Sequence, residues 1–207
     1  MVQPTIFTQQ GGQAIASYNY TDLAEGTGVV IYYGLTNKDN AATNYMLSSQ
    51  AIKSSSNSTN IITAGTNVNC NFDLTSFNIP KEIKGTAYYF GGICGYSGMT
   101  GYITVQIQKV SGGVESNCSS VIQSETFTMG AGEGGGQFCL MAIPLTQTHF
   151  KKGDTLRLNV IFYKTGGGSA MGFTHSPTNM DTGQAYPSLY PNVTTQLKLY
   201  IPFAIGD

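Results

Sequence analysis

The sequence predicts an all-β fold, a two-sheet antiparallel β-sandwich of about ten strands with little or no helix. Three observations carry this. Apolar residues alternate with polar ones in short runs, the period of a strand with one buried face. Clusters of Gly, Asn and Ser separate the runs at turn-like intervals. Apolar residues do not recur at the three-to-four spacing of a crossover helix, which argues against a parallel α/β sheet.

The clearest run is "THFKKGDTLRLNVIFY", from Thr148 to Tyr163. Phe150 anchors it, Lys-Lys-Gly-Asp makes a turn, and Leu156, Leu158, Val160 and Phe162 then share one face. In "YITVQIQKV", Ile103, Val105 and Ile107 alternate with Thr104, Gln106 and Gln108. In "TTQLKLYIPF", Leu197, Leu199, Ile201 and Phe203 do the same, and Pro202 belongs at a strand end or edge because it donates no ladder hydrogen bond. Runs of the same kind are expected at Gln13–Tyr20, Gly28–Leu35, Tyr45–Leu47, Asn69–Leu74, Ile83–Ile93, Val121–Thr128, Gly136–Ile143 and Ser169–Phe173.

A chain of 207 residues with no shift in composition reads as one domain, 1–207, with residues 1–12 as an extended N-terminal arm. Three polar or glycine-rich stretches are expected to be long surface loops: 52–67, 129–136 and 174–192. The last holds Tyr186, Leu189 and Tyr190 between Pro187 and Pro191, and these three are the expected contact residues.

Charged residues make up 10% of the chain, against roughly 25% in an average soluble domain, and the net charge is -1. The ten Lys and Arg are scattered, so the concentrated positive field of a nucleic-acid groove is not expected. Weak self-repulsion favours association. No basic run leads into an apolar core at the start, and no apolar stretch nears the roughly 18 residues of a membrane span, so neither a secretion signal nor an anchor is expected. Cys70, Cys94, Cys118 and Cys139 are too far apart to seed a zinc or redox motif; two disulfides in any of three pairings, or buried free thiols, are both compatible with them.

The motif content points away from catalysis. Of the two histidines, His149 lies at a turn into a strand and His175 opens the long loop, with Asp181 further on; hydrogen-bonding loop histidines are the expectation, because no nucleophile elbow or metal-binding spacing accompanies them. "GYSG" at Gly95–Gly98 is one residue short of that elbow. "GAGEGG", Gly130–Gly135, matches the dinucleotide fingerprint formally, but a strand-like run follows it where a helix is needed. The acids, among them Asp22, Glu25, Glu115, Glu125, Glu133 and Asp154, are dispersed through turns, and Glu125 is expected to face solvent from a strand. No calcium-loop spacing occurs, and no catalytic, cofactor-binding or metal-ligating residue is assigned. Sequons at Asn19, Asn57, Asn117 and Asn192 carry little weight in so Asn- and Thr-rich a chain. Thirteen tyrosines and no tryptophan suit strand faces, an interface or a sugar platform.

"FKKGDTLRLNV" resembles the turn and strand that precede the last hairpin of jelly-roll heads in trimeric complement-type, tumour-necrosis-factor-like and viral fibre domains. "ASYNYTDLAEGTGVVIYYG", "FDLTSFNIPKEIKGTAYY" and "NVTTQLKLYIPFAI" are similar to β-rich structural proteins of archaeal viruses and tailed phages. That resemblance implies a jelly-roll sandwich and a non-enzymatic virion component, assembled in the host cytoplasm. It further implies a homo-oligomer, with a trimer favoured, on a capsid or tail surface beside major capsid or tail proteins. The alternative is a receptor- or carbohydrate-binding head that recognises a host-surface glycan through Tyr186, Tyr190 and their neighbours. A β-sandwich hydrolase would need His149 or His175 within reach of an acid and a nucleophile.

Overall fold

The computed structural model describes residues 27–39, 42–50, 67–95, 98–128, 135–167, 171–174 and 197–204. The arm 1–12, the run Gln13–Tyr20, His175, Asp181 and the contact residues Tyr186, Leu189 and Tyr190 lie outside them. Among the described residues there is no helix, and twelve strands follow one another: β1 (Thr27–Asp39), β2 (Ala42–Ser48), β3 (Asn67–Leu74), β4 (Lys81–Gly95), β5 (Thr100–Ser111), β6 (Val114–Asn117), β7 (Ile122–Gln123), β8 (Phe127–Thr128), β9 (Gly135–Phe150), β10 (Thr155–Gly166), β11 (Met171–Thr174) and β12 (Lys198–Ala204).

These strands form one curled mixed sheet, where two separate antiparallel sheets were expected. The order across it is β9, β4, β12, β1, β2, β3, β10, β5, with β11 on β4 beyond the end of β12. β6, β7 and β8 follow one another along the outer edge of β5. Neighbours are antiparallel except β2 and β3, which run parallel with Met46 opposite Asp73 and Leu47 opposite Leu74. The sheet curls until its ends touch at one place: Ser119 bridges Leu145 of β9, and the Thr146 N–H donates to the Cys118 carbonyl at 2.8 Å. The reason is strand length. β4 and β9 run 15 and 16 residues, long enough to pass through both halves of a sandwich, and a bulge at Ile83/Gly85 bends the pair where a sandwich would break into a loop. Gly85 sits there at φ 94°, a conformation that an L side chain rarely adopts.

Alternation places the core as expected. Leu156, Leu158, Val160 and Phe162 of β10 are fully buried in one cluster with Leu199 and Ile201 of β12 and with Ile103, Val105 and Ile107 of β5, the last three directly beside Phe162, Val160 and Leu158 on the paired strand. Tyr89 is buried as deeply, and Gly91 makes room for it: a Cβ on Gly91 would land on the Tyr89 hydroxyl. Burial pushes the Tyr32 phenol up to about 12.

The Lys151–Asp154 turn is built as its sequence suggests. Gly153 takes φ 92°, and the Lys151 N–H donates to the Asp154 carboxylate at 2.7 Å. Asp154 also meets Lys109 Nζ at 3.1 Å, although little of either side chain is exposed. Hydrogen bonds from the Ser111 side chain and the Lys151 N–H, together with Lys109, hold its carboxyl down at about 2.

The expected run Val121–Thr128 is broken into β7 and β8. Ser124 lies in the break, and its hydroxyl accepts the Ile103 N–H at 3.0 Å where a strand would supply a carbonyl; Ser119 does the same for the Ile107 N–H at 2.9 Å ahead of β7. Cys70, Cys118 and Cys139 are free thiols, which decides between the two readings of the cysteines for these three.

Candidate interaction surfaces

Two outward faces of the sheet differ sharply in chemistry. On β9, β4, β12 and β1 most of the outward positions in two adjoining rows are apolar or aromatic. Leu140 and Lys198 flank Phe90 across the ladder, Ala142 and Tyr200 flank Tyr88, and Ile31 continues the second row. Phe138 lies opposite Gly92, which has no side chain, and stacks diagonally on Phe90 with ring centroids 5.4 Å apart and planes 7° apart. Leu140 is 67% exposed, Phe138 45% and Tyr88 44%. Single exposed apolar residues are ordinary, but three adjoining ones on one strand pair make a patch. Lys198 Nζ sits 5.9 Å from the Tyr33 ring centroid at its margin.

The opposite face, on β3, β10 and β5, is an amide surface. Asn159 donates to the side-chain oxygens of Asn69 and Asn71, both at 2.6 Å. One row along, Arg157 grips Asp73 with Nε and Nη2 at 2.6 and 2.7 Å and reaches Glu115 with Nη1. Tyr102 and Tyr163, opposite one another, stack with centroids 4.7 Å apart. Along β10 the pattern is apolar inside and mostly polar outside, with Ile161 outside and Lys164 buried as exceptions.

A cleft of about 550 Å³ opens between the segment Ile122–Phe127 and Gln137–Met141 of β9. Glu125 lines it from the loop between β7 and β8, exposed as expected but not on a strand. Cys139 also lines it, and burial pushes that thiol up to about 12, so it is protonated and unreactive at neutral pH.

His149 is at the surface, 74% exposed, with Nδ1 3.0 Å from the Glu82 carboxylate, to which Gln147 also donates. Among the described residues no group of three or more His, Cys, Asp or Glu side chains could hold a metal ion. No described helix is long and apolar enough to cross a membrane.

The sequence reading located contact in the loop of Tyr186, Leu189 and Tyr190 and did not single out Phe138 and Leu140. The signal was present: "FCLMAI" is apolar on both faces of its alternation, where a strand with one wet side should read polar at every second position.

No protein-family model matches the chain, and no curated protein matches it. Among solved structures it is similar to a CocE/NonD family hydrolase from Staphylococcus aureus, at 13% identity and TM-score 0.46, over 86% of this chain and 37% of that one. An aminopeptidase from a marine sediment archaeon, Thaumarchaeota archaeon, gives 10% identity and TM-score 0.45 over 66% of this chain and 26% of that one. A structure of infectious bursal disease virus, Gx strain, gives 11% identity and TM-score 0.20 over 82% and 42%. The chain thus spans about a third of the length of the hydrolase it matches. Likenesses at these scores do not bear on function.

Proposed function

We propose that the protein is a non-enzymatic virion structural subunit, a capsid- or tail-associated decoration or assembly protein that acts through protein–protein interfaces. The observation that carries this reading is the aromatic face on β9 and β4, where Phe90 and Phe138 stack in the open and Leu140 stands 67% exposed beside them. A face of this kind, on a chain with a net charge of -1, buries against a neighbour without desolvating many charges, and so associates with little dependence on salt. The curled sheet serves in this reading as the jelly-roll shell of the subunit, and copies of the chain meet as a closed oligomer, a trimer favoured, beside major capsid or tail proteins. Electron microscopy of the concentrated protein tests it: discrete particles with rotational symmetry are expected, and dispersed single chains at every concentration oppose it.

A second reading, a receptor- or carbohydrate-binding head, draws on the Tyr102–Tyr163 stack beside the Asn69, Asn71 and Asn159 amides, a neutral platform suited to sugar hydroxyls. Binding on a glycan array that is lost in Tyr163→Ala would favour it.

A further inference from the structure

The seam of the curled sheet is closed at one end and open at the other. Ser119 bridges Leu145, and continuing that register would set Ser124 opposite Leu140 and Thr126 opposite Phe138. Among the described residues those pairs are not made, and the cleft lies there instead. β9 is paired along its length with β4, and among the described residues no strand lies beside its other edge from residue 137 to 144. An edge of unpaired N–H and C=O groups in a slot, with Phe138 and Leu140 beside it, is the geometry of strand addition.

We propose that this edge accepts an extended segment from a second copy of this chain, and that residues 13–20 supply it. The inference rests on the assembly reading above and names the contact that would hold the assembly together. "QAIASYNY", Gln13–Tyr20, alternates as a strand does, and no charged residue precedes Asp22. That neutrality fits a cleft whose lining carries one charge, Glu125.

For a segment that runs antiparallel to β9, reach separates the chain's own residues from a neighbour's. Gly28, Phe203, Ile83 and Thr148 lie in one row across β1, β12, β4 and β9. Antiparallel to β9, Tyr20 falls at the Gln137 end, 11 residues or roughly 36 Å from that row. The chain from Tyr20 to Thr27 extends at most about 25 Å. The antiparallel place is therefore open to a second copy and closed to the chain's own residues, as in strand exchange between subunits.

Hydrogen exchange of the full chain, with solution mass measured on the same samples, tests this. The expected result is an assembled chain with residues 137–144 protected, and loss of both the assembly and that protection in Ala16→Pro, which removes a ladder donor. A synthetic peptide of residues 11–22, which needs no mutation, is expected to lower the mass while β9 stays protected. An assembled chain in which Ala16→Pro changes neither readout overturns the strand donor and leaves the assembly reading standing. A chain that is monomeric with β9 exchanging freely at every concentration overturns both. A monomer whose β9 protection is lost in Ala16→Pro overturns the second copy and assigns the edge to the chain's own residues.

Discussion

Phe90 and Phe138 stack nearly parallel, planes 7° apart, on the outside of the sheet, with Gly92 clearing the space for them. An aromatic pair of this kind contributes about 0.5–1.5 kcal/mol beyond its area. A fold with a closed interior does not need that pair on its wet side.

Substitution of the face should therefore affect association and leave folding almost alone. Leu140→Lys and Phe138→Lys are expected to shift the chain toward monomer in sedimentation velocity, with denaturation midpoints lowered by no more than about 1–2 kcal/mol in equivalent stability. Unchanged association in both variants would count against the face.

Gly91→Ala should destabilise the fold sharply for its size. The added Cβ meets the hydroxyl and ring of Tyr89, whose side chain is fully buried in the core. Overpacking of this kind costs about 1–3 kcal/mol, read as a lower urea midpoint at an unchanged slope.

Asp154 makes stability fall in acid over a defined window. Its carboxyl stays ionised to about 2 in the folded chain, against 3.8 ordinarily, because Ser111, the Lys151 N–H and Lys109 favour the charged form. Between those values the unfolded chain binds the extra proton, so stability is full above about pH 4 and falls toward pH 2. Asp154→Asn is expected to be less stable at neutral pH and to show a flatter decline across that window, by urea midpoints measured from pH 5 to 2.

The thiols predict the opposite limb. Burial pushes Cys70 up to about 11 and Cys139 up to about 12, from 9 ordinarily, and raises Cys118 as well. The folded chain keeps these protons where the unfolded chain has lost them, so stability falls as pH rises from 9 toward 12. At pH 8 none of the three is expected to react with a thiol reagent until denaturant is added. Rapid labelling of Cys70 in the native protein would contradict this burial.

The strands with one dry face were legible because burial and alternation coincide in them: Leu156 to Phe162 and Ile103 to Ile107 lie where their period puts them. β6 was not, since Val114, Glu115, Ser116 and Asn117 are all exposed and leave no period to read. The break between β7 and β8 depends on Ser124 bonding to a strand distant in sequence, which no local signal announces. The single curled sheet was missed for a similar reason, because alternation fixes which residues face inward and says nothing of whether long strands such as β4 and β9 pass through both halves. At the candidate surface, Phe138 and Leu140 stood in plain sequence, but in a run apolar on both faces an outward residue is not distinguishable from a core one until the sheet is assembled.

The most direct test of the assembly account is the solution mass of the purified full chain by light scattering across a concentration series. The account predicts a stable oligomer, a trimer or a larger closed assembly of the 22.0 kDa chain. A mass of one chain throughout, unchanged by Leu140→Lys, would contradict it.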